Sequence, residues 1–180
     1  MALKNQSVVD KWNTLVLNGA GRAKGTMETI ETKITAANVP GIRMSMQEVS
    51  QGGLFAAKRP FLICANNTLP DFYLYIGARD YGAHLDVSWY LTVQPRGLKS
   101  AFSRYSMGNP LAMSMALDFF RQQDAHAFVT VVHHCVTDTV KELLDDLDQS
   151  PASLNTQSKG LTFPIRDFSK HLCIFPADTS

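Results

Sequence analysis

The pattern of apolar and polar positions is sharpest between Phe72 and Val93. Leu85, Val87, Trp89, Leu91 and Val93 alternate there with His84, Asp86, Ser88, Tyr90 and Thr92. A period of two sends successive side chains to opposite faces of a strand. The preceding arm repeats it, with Phe72, Leu74 and Ile76 set against Tyr73 and Tyr75. Arg79-Asp80-Tyr81-Gly82 separates the arms as a turn in which glycine takes a positive φ at little cost. The two arms are read as a β-hairpin at the centre of an antiparallel sheet.

Two further strands precede the hairpin. Ile42, Met44 and Met46 alternate with Arg43, Ser45 and Gln47, and Lys58 to Ala65 forms a second apolar run in which Pro60 favours an edge or a strand start. The breaks between these strands are short, and short connections join antiparallel neighbours. The expected sheet is therefore a meander of about four strands over residues 42–93.

Helical spacing appears on either side. Met27, Ile30 and Ile34 predict a helix over 26–37, stopped by Pro40-Gly41. Phe128, Val131, Val132, Cys135, Val136, Val140, Leu143, Leu144 and Leu147 cover one broad helical face, which predicts a long amphipathic helix over 125–147 with Asp124 as a candidate cap. A helix LAMSMALDFFRQQ follows Asn109-Pro110, and its continuity with the long one is left open. Residues 7–18 are too short a pattern to choose between helix and strand. The fold class is α+β, with the sheet packed on one face by the long C-terminal helix and the shorter N-terminal one. Residues 1–148 are expected as a single domain, 149–160 as a linker, and 161–180 as an apolar tail suited to docking.

Composition narrows the function classes. The chain has 180 residues, 45% of them hydrophobic and 18% charged, as in an ordinary globular protein of one domain. A net charge of +1 gives no overall attraction to nucleic acid or anionic membrane, so such binding would need a local patch. Cys64, Cys135 and Cys173 are far apart and form neither a disulfide framework nor a zinc motif. The first residues, MALKNQSVVDKW, lack the apolar core of a signal peptide, and no run approaches the ~18 apolar residues of a membrane helix. A cytoplasmic location is expected, and the sequons at Asn5 and Asn66 carry no weight without a secretion signal.

Four constellations suggest chemistry, and each has a plainer account. LVLNGAGRAKGT places glycines between a candidate strand and a helix, as phosphate loops do, but Lys24-Gly25-Thr26 reverses the Walker order and no parallel βαβ unit follows. His126, His133, His134 and Cys135 fall on one helix, yet His126 and His133 lie about 10.5 Å apart along its axis, too far for one ion. His84, Asp86 and Ser88 share a strand face at about 6.8 Å spacing, a poor geometry for a Ser-His-Asp relay. Cys135 sits in the apolar stripe, where burial favours the neutral thiol.

Recognition by the sheet's polar face has more support. Arg43, Tyr73, Tyr75, His84, Asp86 and Tyr90 are expected there as a protein-binding surface, because tyrosine and arginine are enriched at interfaces. The expected function is that of a non-enzymatic accessory protein, with no cofactor, whose partner is another protein or a second copy of itself. One alternative is single-stranded nucleic acid stacked on the same tyrosines, with Arg96, Lys99, Arg104 and Tyr105 supplying phosphate contacts. Another is a small apolar ligand held between sheet and long helix by Met44, Met46, Phe61, Ile63, Leu74, Ile76, Trp89 and Leu91.

Overall fold

A computed structural model of the protein describes residues 7–50, 57–94 and 119–158. Along the chain the elements are β1 (Ser7–Val16), α1 (Ala23–Ala36), β2 (Ile42–Ser50), β3 (Lys58–Asn66), β4 (Leu69–Tyr81), β5 (His84–Val93) and α2 (Phe119–Asp146). The strands form one sheet in the order β1-β5-β4-β3-β2, with every neighbouring pair antiparallel. The α+β arrangement is therefore the expected one, with a fifth strand added.

The fifth strand is β1, the segment whose pattern was too brief to decide. Its register against β5 shifts between Val8 and Asp10, so one extra residue interrupts the alternation. Asp10 then lies on the buried side, opposite Leu91, where a polar residue is not expected. Both features hide the period of two.

One face of the sheet carries the helices and the main core. Trp12 and Val16 of β1, Leu85, Val87, Trp89 and Leu91 of β5, Leu74 and Ile76 of β4, and Leu62 and Cys64 of β3 pack there. Ile30 and Ile34 of α1 and Val132, Val136 and Val140 of α2 close over them. Each fully buried Leu or Ile stabilises the fold by roughly 1.5–3 kcal/mol over its exposed state. The 28-residue α2 runs without a break from Phe119, so Asp124 lies inside the helix and is not its cap. The helical residues 119–123 belong to this helix, while 111–118 lie outside the described residues. Helix α1 begins at Ala23, three residues before the predicted start, and Thr26 is buried within it with its hydroxyl donating to Arg22 O.

The opposite face is not bare. Val49, Ile63 and Tyr75 are buried there, with Phe61, Tyr73 and Tyr90 packed around them. Phe61 and Ile63 thus point away from Leu74, Ile76, Trp89 and Leu91, and do not share their face as the apolar-ligand reading required. The run Phe61-Leu62-Ile63-Cys64 is apolar throughout, so periodicity could not assign its faces. Phe61 lies across Gly77, where a Cβ would come within 2.8 Å of Cε1 of the ring. The glycine admits the aromatic ring against the strand backbone.

After α2, the chain turns at Asp148 in the left-handed region (φ 52°) and runs back along the body. Gln149 Nε2 donates to Leu17 O at 2.7 Å, and Trp12 Nε1 donates to Asn155 O at 2.7 Å. A single 3-10 turn over Pro151–Ser153 starts this stretch, and Leu154 packs against the main core. The first part of the expected linker is thus a strap over β1. Residues 159–180, with the expected docking tail, lie outside the described residues.

Candidate interaction surface

The sheet's second face gathers the expected binding residues. Arg43, Tyr73, Tyr75, His84, Asp86 and Tyr90 all point to it, as the registers require. They do not form one cluster. Tyr73, Tyr75 and Tyr90 occupy the middle, and Tyr75 is only 2% exposed, so it is a packing residue of this face. Arg43 stands exposed on β2, opposite Ala65. His84 and Asp86 lie at the far end, where the β4–β5 hairpin closes.

That hairpin end is pinned from several sides. Arg79 Nε donates to Asp86 Oδ2 at 3.0 Å across the paired strands, and the guanidinium lies 5.2 Å from the Tyr81 ring centroid. Both partners are part-exposed, so the pair contributes on the order of 1 kcal/mol or less. Asn18 N–H donates to His84 Nδ1 at 3.2 Å, which leaves the ring's proton on Nε2 in the neutral form. Gly21 N–H donates to Asp80 Oδ1 and Ala20 N–H to Ala83 O. The glycine-rich loop between β1 and α1 therefore uses these amides to hold the hairpin. Strand, loop and helix do occur in the order a phosphate loop needs, but β1 pairs antiparallel, and the βαβ unit is absent from the described residues.

Apolar side chains surround these groups in the open. Leu15 is 46% exposed directly opposite Asp86, and Tyr81 is 61% exposed opposite His84. Leu17 is 53% exposed at the end of β1. Lys11 and Asn13 continue the same exposed row along β1, facing Tyr90 and Ser88. Sequence reasoning missed Leu15, Leu17 and Tyr81, since it assigned no strand to residues 7–16 and placed Tyr81 in a turn. Of the proposed triad, Ser88 is buried, Asp86 is paired with Arg79, and His84 is bonded to Asn18.

Of the remaining histidine and cysteine candidates, His133, Cys64 and Cys135 belong to the core, while His126 and His134 are exposed on α2. Trp89 Nε1 donates to His133 Nδ1 at 3.0 Å, which places the ring proton on Nε2, 2.7 Å from Thr156 O. Both tryptophans meet the His133 ring edge-on, at 5.6 and 5.7 Å between centroids. Burial, with Glu31 and Cys135 nearby, pushes the Cys64 thiol up to about 12. Burial also raises Cys135, with Asp138 adding to the shift and Lys33 opposing it. Neither thiol is set up as a nucleophile at neutral pH. Asp138 is held below the usual carboxylate range, chiefly by the hydrogen bond from Lys141. Arg96, Lys99, Arg104 and Tyr105 lie outside the described residues.

Among the described residues no helix is long and apolar enough to cross a membrane, and no group of three or more potential ligands could hold a metal ion. Family models, curated proteins and solved structures offer no match to this chain.

Proposed function

We propose that the chain is a non-enzymatic cytoplasmic accessory protein that binds a protein partner through the hairpin end of its second sheet face. The observation that supports this most is the exposure of Leu15 and Tyr81 on one rigid patch, beside His84 and the Arg79–Asp86 pair. Exposed aliphatic and aromatic side chains rimmed by paired charges have the make-up of a protein interface. The surroundings are held by backbone hydrogen bonds, so binding there orders little and loses little entropy. Tyr90 and Tyr73 lie farther along the same face, half-buried, and Arg43 stands apart from the patch on β2.

The test is affinity enrichment from cells with the wild-type chain and with a Leu15→Glu, Tyr81→Glu double variant. Both sites are exposed, so circular dichroism of the variant should match wild type. A partner retained by wild type and lost by the variant is the expected result. An identical set of captured proteins would overturn the reading.

A further inference from the structure

Helix α2 carries a histidine whose two ring nitrogens serve two other parts of the fold. His133 Nδ1 accepts from Trp89 Nε1–H of β5 at 3.0 Å, and its Nε2–H donates to Thr156 O of the strap at 2.7 Å. The ring therefore stands between sheet and strap, and Trp12 of β1 meets it edge-on. Trp12 holds the strap one residue earlier, through Nε1–H to Asn155 O. Both of the chain's tryptophans thus border one imidazole.

Only the neutral ring fits this arrangement. A tryptophan N–H donates and cannot accept, so Nδ1 must keep its lone pair. A second ring proton would sit on Nδ1 and point at the Trp89 N–H, setting two donors 3.0 Å apart. Trp89 is 0% exposed, so its N–H has no water to turn to. His133 is only half-buried and its bond to Thr156 is exposed, so the ring is the partner that can leave. A charged ring keeps a donor for Thr156 O, and the carbonyl then follows it outward, away from β1.

We propose that His133 is a pH-sensitive latch, which in its neutral form locks the strap over residues 150–158 against β1 and in its protonated form swings off Trp89 and releases it. Closure requires the neutral ring, so acid opens the latch and base closes it. Few charges face it among the described residues. From β1 the acidic group on that face is Asp10, buried two residues from Trp12, and its carboxylate attracts a cationic ring. The core-facing residues of β5, Leu85, Val87, Trp89, Leu91 and Val93, carry no charge, and residues 150–158 have none. On α2 the His134 ring lies 6.2 Å away and, when positive, repels a positive His133. Thr130 and Thr137, about one turn to either side, are neutral. The latch lies on the core face and does not rest on the hairpin-end patch, so the two proposals stand or fall independently.

Exchange of the two indole N–H groups tests it, followed by NMR from about pH 8 to about pH 5 and corrected for the intrinsic pH dependence of exchange. Trp89 Nε1–H reports the ring, and Trp12 Nε1–H reports the strap. In wild type both should lose protection by roughly tenfold or more toward acid, while far-UV circular dichroism stays constant. His133→Gln offers an acceptor and a donor at every pH, so both of its indoles should keep one level of protection throughout. Wild-type indoles whose protection does not change with pH overturn the proposal. So does a loss at Trp89 without one at Trp12, a loss that coincides with global unfolding, or a folded His133→Gln chain that responds to acid as wild type does. The wild-type measurement decides by itself if the variant fails to fold.

Discussion

The two edges of the sheet are built differently. At β1 the register is bulged between Val8 and Asp10, an acidic side chain points inward, and a strap runs alongside the strand. At β2 the register is unbroken, Arg43 and Ser45 to Glu48 are exposed, and alternate peptide groups point away from β3. A bulge and an inward charge are what a sheet uses to refuse another strand. The contrast teaches that, among the described residues, one edge strand is irregular and strapped while the other keeps a regular register. It also shows that the guarded edge depends on a few side chains, which can be removed one at a time.

Trp12→Ala should have the largest effect. Trp12 is 4% exposed and anchors the strap through Asn155 O, so truncation loses both core packing and the anchor. A loss of about 3–5 kcal/mol is expected, from the range for large buried aromatics. Urea unfolding measures it, and faster amide exchange over 150–158 should accompany it. If exchange there stayed as in wild type, the strap would not depend on Trp12.

Alkaline pH tests the sheet nearer β2, because Cys64 lies opposite Met44. Its folded pKa is raised from 9.0 to about 12, so the neutral thiol's contribution is fully present below pH 9 and is lost as pH rises toward 12. Each unit of pH in that window removes roughly 1.4 kcal/mol. Comparing urea unfolding of wild type and Cys64→Ala across this range isolates the effect, because the variant lacks the group. Parallel stability curves would show that Cys64 ionises as readily in the fold as in the unfolded chain.

Smaller effects should come from the strap itself. Leu154→Ala removes part of a half-buried side chain that packs on the core and should cost about 1–2 kcal/mol. Gln149→Ala loses one exposed hydrogen bond to Leu17 O and should cost about 0.5 kcal/mol, near the limit of denaturation measurements. A larger loss from Gln149 than from Leu154 would mean that the strap is held mainly at its start.

The same contrast explains what the sequence made legible. The β4–β5 hairpin stood out because one face is fully buried while the other keeps polar residues at every second place in β5. Strand β2 read well over Ile42 to Gln47, where apolar and polar residues alternate, and only at Glu48 and Val49 does the pattern reverse. Strand β1 did not, because the bulge and Asp10 broke its period. In β3 both faces are apolar, so the strand was visible and its orientation was not. Helix α2 was found from its apolar stripe, although half-buried Val131 and Cys135 lie at its margin, while Ala125, Val129 and Thr139 are buried. The strap has a single apolar anchor, Leu154, and is otherwise held by the Gln149 side chain and the carbonyls of Asn155 and Thr156, contacts that leave no periodic pattern. For the interaction surface, the shared face of the six named residues was legible from strand parity. The burial of Tyr75 and the Arg79–Asp86 pairing were not, because both depend on neighbouring strands.

The most direct test of the contrast is residue-resolved amide exchange along β2. Arg43, Ser45 and Gln47, whose amides bond to β3, should exchange slowly, and Met44 and Met46 should exchange quickly. If Met44 and Met46 exchange as slowly as Arg43, Ser45 and Gln47, the peptide groups of β2 do not alternate between β3 and solvent.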